Sequence, residues 1–243
     1  VSDESWKTDR SPVTFTSIFG GEDYNANLEQ PGWNTPGFDD ATWKNAIVSN
    51  GPKGDLKVEM DHPLQVMKVF DDPEIKIVDS IFIYDFKQNA SGIIKMNVSG
   101  EKGQTLRLHP AERLFESGHI NQSTSGTPYY FEYTLKGEDE EEWKPEFTYY
   151  GFRYVQLEGA VPEGYPNPDN LPVIHELQFL HTRNSSPQVG SFHCSNELFN
   201  RTFNLIDWSV RSNLASVTTD CPHREKLGWL EVTHLMGNSI KYR

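Results

Sequence analysis

The hydrophobic pattern of this 243-residue chain changes its period once, at Ser195. Before this residue, apolar side chains come in short runs bounded by Gly, Pro, Asn and Asp, and no segment shows helical spacing. Many short strands without intervening helices are typical of an antiparallel β-sandwich. After Ser195, apolar residues recur every three or four positions. The pattern therefore predicts a mainly β chain that ends in helices.

The β part begins with a segment that is rich in Gly and Pro. Residues 13 to 60 are interpreted as loops around short strands, and strand-like runs start at about Leu64. The predicted strands cover 75–78, 81–86, 93–98, 105–108, 129–135, 143–150, 152–157 and 174–180, and residues 99–103 form a hairpin connection. The acidic run 138–142 is interpreted as a solvated hairpin tip rather than a cation site.

Two helices are predicted at the end of the chain. An apolar stripe predicts a helix over about 196–213, with Ser195 as its N-cap, and a second helix follows over 230–242. The stripe consists of Phe199, Phe203, Ile206, Val210 and Leu214, widened by Leu198 and Leu205. Two helices are too few to bury such faces, so we expect a larger helical domain to begin here. The expected division is a partial N-terminal β segment at 1–61, a β-sandwich domain at 62–183 and the start of a helical domain at 184–243.

Charge and hydropathy exclude some classes of partner. The chain contains 22 Lys and Arg residues and 35 Asp and Glu residues, which gives a formal net charge of -13. Nucleic acid and anionic membranes are poor partners for such a surface. No apolar run is long enough for a membrane span, and residues 1–7 lack the features of a signal peptide, so any export signal is expected outside this chain.

The stretch from Asp220 to Glu231 is the densest cluster of chemically functional residues. Two acids close to an aromatic ring suit glycoside hydrolysis, because one carboxyl must hand a proton to the leaving oxygen while a Trp face stacks on a sugar. An Arg beside them would orient the acids or bind hydroxyl groups. Composition alone favours the alternative of a polar interhelical loop, in which Asp220 caps a turn, Arg224 pairs with Glu225 or Glu231, and Trp229 fills the core.

The histidines and cysteines of this part of the chain suggest two further types of site. A metal site could be built from His193, Cys194, Cys221 and His223, but adjacent pairs lack the usual ligand spacing. A Cys221 nucleophile with His223 as its base needs special geometry, because the two residues are only two apart in a loop. No loop has a recognisable calcium-ligand pattern. We therefore expect neither a metal nor a cofactor.

The run Asp220-Cys-Pro-His-Arg-Glu-Lys-Leu-Gly-Trp229, with Trp208-Ser-Val-Arg-Ser-Asn213 ahead of it, resembles the bacterial α-L-rhamnosidases of glycoside hydrolase family 78. Other blocks of the chain agree with that family in the same order. They are Phe19-Gly-Gly-Glu-Asp-Tyr24, Pro31-Gly-Trp33, Phe38-Asp-Asp-Ala-Thr-Trp43, Tyr84-Asp-Phe86, Phe147-Thr-Tyr-Tyr-Gly-Phe-Arg-Tyr154 and Gly190-Ser-Phe-His-Cys-Ser-Asn196. The resemblance covers nearly the whole chain.

The resemblance implies β-sandwich domains followed by an (α/α)6 barrel that hydrolyses terminal α-L-rhamnose with inversion. It implies Glu225 as the general acid, Asp220 as a residue that binds rhamnose hydroxyls, Trp229 as part of the sugar pocket and Arg224 as a supporting residue. The family acid that normally matches Val232 is missing here, so either Glu231 replaces it or the subsite differs. The catalytic base resembles a Glu far downstream in the barrel, so we expect this chain to be inactive alone, with the missing barrel as its partner.

Two other functions remain open from the sequence. One is a non-catalytic carbohydrate-binding module, which exposed aromatic residues such as Tyr129, Tyr130 and Tyr149 would favour over the commoner case of rings in a core. The other is a scaffolding sandwich that docks a helical domain. The resemblance favours a periplasmic or extracellular bacterial location and a rhamnose-containing carbohydrate as substrate.

Overall fold

The computed structural model describes residues 3–51, 53–126 and 128–242. Its strands are β1 (Lys7–Thr8), β2 (Val13–Ser17), β3 (Gly21–Asn25), β4 (Lys44–Asn45), β5 (Leu64–Phe70), β6 (Glu74–Val78), β7 (Ile81–Ser99), β8 (Thr105–Ala111), β9 (Arg113–Leu114), β10 (Ile120–Asn121), β11 (Tyr130–Thr134), β12 (Glu141–Trp143), β13 (Tyr150–Glu158), β14 (Val161–Pro162) and β15 (Val173–Asn184). A 3₁₀ turn at Ala26–Leu28 follows β3, and the helices are α1 (Glu197–Ser212) and α2 (Leu230–Tyr242).

One large curled sheet dominates the β part, as the alternating pattern predicts. Among the described residues it contains eleven strands, in the order β14-β15-β7-β13-β8-β11-β3-β2, with β5 beside β15 and with β6 and β12 beside β7. Most neighbours are antiparallel, but β3 pairs with β11 and β14 pairs with β15 in parallel. Strand β3 thereby joins the N-terminal segment to the sandwich.

The 19-residue strand β7 lies within the sheet and changes neighbours along its length. Its first part pairs with β6 and β13, and its last part pairs with β15 and β12. On one edge of β7 the neighbour changes from β6 to β15 between Asp85 and Gly92, around Lys87, whose φ of 66° marks a bulge opposite Arg153. The sequence predicts two strands here because polar residues 87–89 interrupt the apolar runs. They form one strand because a bulge lets the chain bend without leaving the sheet.

Aromatic side chains fill the interior of the curled sheet. The fully buried aromatic residues of this core are Tyr129, Phe131, Tyr133, Tyr150, Phe152 and Phe179. The Phe152 and Phe179 ring centroids lie 4.0 Å apart, as do those of Tyr129 and Tyr150. Tyr129 therefore belongs to the core, which removes it from the exposed aromatics that would favour a binding module.

Two buried carboxylates organise loops that the sequence misassigns. Glu141 is 2% exposed and accepts hydrogen bonds from three successive backbone N–H groups, those of residues 136–138, and from the Tyr133 hydroxyl. The acidic run is therefore not wholly solvated. The strand predicted over 143–150 is also wrong for residues 144–149, where the Glu146 and Phe147 N–H groups donate to the buried Glu22 carboxylate rather than to a neighbouring strand.

Helix α1 packs one side against β7 and β15. Trp208 meets His181 edge-on at 5.4 Å between ring centroids, and the Ser91 N–H donates to the Ser212 hydroxyl. Asn196, and not Ser195, is the N-cap, because its side chain accepts the Leu198 N–H. Within the described part of the chain, no helix is both long and apolar enough to cross a membrane.

The predicted apolar stripe of α1 is only partly covered. Val210 is buried, whereas Phe199 and Ile206 are exposed by 58% and 47%. Helix α2 has no buried residue among those described. Both helices therefore present apolar surface that this part of the fold does not cover.

Candidate active site

The candidate site is the loop between the two helices. Asp220, at the start of this loop, is hydrogen-bonded to Leu227 near its end. The Asp220 N–H donates to the Leu227 carbonyl at 3.0 Å, and the Leu227 N–H donates back to Asp220 Oδ1 at 3.0 Å. Oδ1 also accepts the Cys221 N–H at 2.8 Å, and Oδ2 accepts the Trp229 indole N–H at 3.3 Å. The carboxylate thus fixes both ends of the loop, which agrees with the turn-capping role that the polar-loop alternative gave it.

Asp220 also forms a hydrogen bond with the Glu225 side chain. Slight burial raises the pKa of Asp220. The hydrogen bonds with Glu225 and from the Leu227, Cys221 and Trp229 N–H groups lower it by more, so the net shift of the pKa is downward. The structure therefore brings together the two acids that the sequence singles out.

The other predicted site residues have different surroundings. Arg224 donates to the Thr124 carbonyl at 2.6 Å, and its Nε lies 3.5 Å from Glu225 Oε1. Trp229 is 52% exposed beside Asp220 and does not fill the core. Glu231 is exposed in the first turn of α2, and the neighbouring Val232 is partly buried.

Three residues of the loop fasten it to the sandwich. His223 lies 3.1 Å from Glu112 Oε2 through its Nε2, while its Nδ1 accepts the Arg224 N–H. Pro222 is buried directly against the backbone of Gly151. The Lys226 ammonium donates to the carbonyls of Ile18 and Tyr149. These three residues thus attach the loop to the sandwich and to the N-terminal segment.

The pKa values of two of these fastening groups are shifted. Burial raises the pKa of Glu112, but hydrogen bonds from His223 and Asn89 lower it more, and the net shift is downward. Burial lowers the pKa of Lys226 to about 7. Glu112 and Lys226 were missed by the sequence analysis, because their partners lie far along the chain and no periodic pattern connects them.

The alternative sites find no support in the geometry. Within residues 3–51, 53–126 and 128–242, no group of three His, Cys, Asp or Glu side chains is placed to hold a metal ion. Cys194 and Cys221 are free thiols, and the His223 ring faces Glu112 and Tyr150.

Gly151 leaves the space that Pro222 occupies. A Cβ at position 151 would lie 2.4 Å from Pro222 Cγ, so Gly151→Ala is expected to push the loop off the sandwich and to lower the free energy of unfolding by about 1–3 kcal/mol. Chemical denaturation measures the loss, and alkylation of Cys221 should become faster. Gly54→Ala is the matched control, because an added Cβ there meets nothing within 4 Å. Equal stability of the two variants would contradict this packing.

Three family models match successive parts of the chain. The α-L-rhamnosidase N-terminal domain matches residues 1–68, the bacterial α-L-rhamnosidase concanavalin-like domain matches 75–176, and the bacterial α-L-rhamnosidase six-hairpin glycosidase domain matches 187–243. The last match contains both helices and the loop described above.

Curated relatives and solved structures agree with these matches. α-L-Rhamnosidases of Formosa agariphila and Streptomyces avermitilis are 30% and 34% identical over 96% and 94% of this chain, which spans 24% and 22% of their lengths. The α-L-rhamnosidase structure from Dictyoglumus thermophilum has a TM-score of 0.90 and 38% identity, over 99% of this chain and 27% of that one. A Streptomyces avermitilis α-L-rhamnosidase complexed with L-rhamnose has a TM-score of 0.83 and 31% identity, over 97% of this chain and 22% of that one. The chain thus spans about a quarter of these relatives.

Proposed function

The chain belongs to the bacterial α-L-rhamnosidase family, and from this premise we propose that its protein hydrolyses terminal α-L-rhamnosides with inversion, using Glu225 as the general acid. The matched ranges support the division into an N-terminal segment at 1–61, a sandwich at 62–183 and the start of the catalytic helical domain at 184–243. The activity is that of the whole enzyme, of which this chain contributes the acid.

The observation that carries this proposal is the bonded pair of Asp220 and Glu225 on a loop fixed at both ends. A general acid must hold its proton until the glycosidic oxygen leaves. In this proposal Glu225 carries the proton, and Asp220 is the neighbouring carboxylate, whose pKa is lowered. Once a sugar enters, Asp220 exchanges this bond for a sugar hydroxyl, and the acid is released toward the leaving oxygen.

The remaining site residues are assigned to binding the sugar. Trp229 has a half-exposed ring next to Asp220, which suits stacking on the apolar face of a rhamnose ring. Arg224 supports Glu225 from the side. Glu231 replaces the acid that the family places at Val232 and reaches the sugar from the first turn of α2. The L-rhamnose in the Streptomyces avermitilis structure supports this sugar as the ligand.

An inverting mechanism needs a second carboxylate that activates water, at about 6.5–9.5 Å from the acid. By resemblance that base belongs to the downstream part of the six-hairpin domain. We therefore propose that residues 1–243 alone do not hydrolyse rhamnosides.

A second function has one observation in its favour. A cavity of about 860 Å³ between the N-terminal segment and the sandwich is lined by Trp33, which is 63% exposed, and by Tyr24, Trp43 and Arg10. Exposed aromatic faces with polar neighbours suit a non-catalytic carbohydrate site. Loss of rhamnoside binding by Trp33→Ala in the 243-residue chain would support this role, and unchanged binding would exclude it for Trp33.

The proposed activity is tested on a protein in which this chain continues through a complete six-hairpin glycosidase domain. We expect it to release p-nitrophenol from the α-L-rhamnoside and not from the matched α-L-fucoside or β-D-glucoside. The 243-residue chain alone should release none. Hydrolysis of all three glycosides at similar rates, or of none, would contradict the proposal.

A further inference from the structure

Lys226 follows Glu225 directly in the loop and contacts residues that are distant in the sequence. Its ammonium donates hydrogen bonds to the Tyr149 carbonyl at 2.5 Å and to the Ile18 carbonyl. These acceptors lie 77 and 208 residues earlier in the chain, so this one side chain joins the loop to both the sandwich and the N-terminal segment. Hydrogen bonds from a charged donor are stronger than neutral ones, so this anchor is firmest below the lowered pKa of Lys226, about 7, where the side chain is an ammonium.

Three tyrosine rings surround the same ammonium. Its nitrogen lies 4.6, 5.3 and 5.8 Å from the ring centroids of Tyr149, Tyr129 and Tyr150. Two of these rings are themselves fixed, because the Tyr129 hydroxyl bonds with Thr148 and the Tyr150 hydroxyl donates to the Ser125 carbonyl. The ammonium therefore enters a rigid cage, where cation–π attraction adds to its hydrogen bonds.

The backbone at Lys226 is in the left-handed region, with a φ of 54°. Few residues other than glycine adopt this conformation, and such strain persists only where the surroundings impose it. On one side of Lys226 the side chain of Glu225 bonds to Asp220, and on the other side both backbone groups of Leu227 bond to Asp220. The anchored side chain thus holds the reversal that turns Glu225 toward Asp220.

We propose that Lys226 is a positioning residue for Glu225, through which the sandwich holds the catalytic acid in place. The proposal rests on the proposed function and adds a role for the domain beneath the site. Lys226 does not touch the substrate. Its effect is on the geometry of proton transfer, where a misplacement of about 1 Å costs about 100-fold in rate.

The test compares Lys226→Met with wild type in the protein that carries the complete six-hairpin domain. Methionine keeps an unbranched side chain, one atom shorter, and loses both hydrogen bonds and the charge. We expect kcat/KM for a rhamnosyl disaccharide to fall about 100-fold, and that for 2,4-dinitrophenyl α-L-rhamnoside to fall less than about threefold, because an activated leaving group needs little help from an acid. A merely structural role would lower both rates by the same factor.

Two further variants make this comparison firm. Lys136→Met is the matched control, because Lys136 is also a partly buried cation, bonded to Glu29 and Glu138 away from the loop, and its ratio of the two rates should equal that of wild type. Lys226→Gln keeps an N–H donor, so its ratio of the two rates should lie between those of wild type and Lys226→Met. This variant replaces Lys226→Met in the test if Lys226→Met is not folded, as judged by the absence of cooperative unfolding. An unchanged ratio in both Lys226 variants of an active protein would overturn the positioning role alone. An inactive wild type would overturn the proposed function and this role together.

Discussion

Replacing Glu225 with glutamine is expected to lower kcat for a rhamnosyl disaccharide by about 1,000-fold, within the range of 10²–10⁴ that general acid catalysis supplies. Glutamine has nearly the same shape and can still bond to Asp220, but it has no proton to give to the leaving sugar oxygen. Activity is measured as rhamnose release by the protein with the complete six-hairpin domain. The loss should be far smaller for 2,4-dinitrophenyl α-L-rhamnoside, whose leaving group departs as a stable anion.

Glu197→Gln is the control for this substitution. Glu197 is an exposed acid in the first turn of α1, outside the loop, and its loss should leave both rates within about twofold of wild type. If Glu225→Gln slowed the two substrates equally, Glu225 would act in binding or folding and not as the acid. If neither substrate were affected, another residue would be the acid.

Replacing Asp85 with asparagine is expected to lower the free energy of unfolding by about 2 kcal/mol, because a buried carboxylate loses its charge-assisted hydrogen bonds to the partly exposed Arg153 and Lys76. Asp85 is 1% exposed and accepts from Arg153 Nε and Nη2 at 2.7 and 2.9 Å, from Lys76 Nζ at 3.0 Å and from the Lys87 N–H at 2.8 Å. These bonds hold the bulge of β7 against β13 and β6. Urea unfolding measures the loss.

The same carboxylate predicts a dependence of stability on pH. Burial raises the pKa of Asp85, but the bonds from Arg153, Lys76 and Lys87 lower it more, to about 2. Its contribution is therefore complete above the unfolded-state pKa of about 3.9, and it is lost as the pH falls toward 2. The difference in stability between wild type and Asp85→Asn should shrink over this range. Asp72→Asn, at a side chain that is 95% exposed, should change stability by less than about 0.5 kcal/mol at any pH. A constant difference between wild type and Asp85→Asn would contradict this account.

The helices were predicted closely because an apolar stripe is a local signal. Helix α2 occupies the predicted 230–242, and α1 lies within the predicted 196–213. The strands were harder to delimit, because period two shows which residues alternate but not which strand lies beside them. Strand β7 was therefore divided in two, and the loop after Trp143, which bonds to Glu22 across the fold, was assigned to a strand.

The candidate site shows the same division between local and distant information. The two acids, Arg224 and Trp229 could be chosen from the sequence because they lie within ten residues of one another. The roles of Lys226 and Glu112 could not, because a cation in an acidic loop is expected to pair locally. Here its partners are two backbone carbonyls and three rings of the sandwich. Such contacts form only when distant parts of the chain have folded against each other.

The measurement that tests the central claim most directly is the anomeric configuration of the first sugar released. The protein with the complete six-hairpin domain is mixed with an aryl α-L-rhamnoside, and proton NMR spectra are recorded before mutarotation. An inverting enzyme with Glu225 as its acid yields β-L-rhamnose first, and the α anomer grows in later. Initial release of α-L-rhamnose, or of a sugar other than rhamnose, would contradict the account.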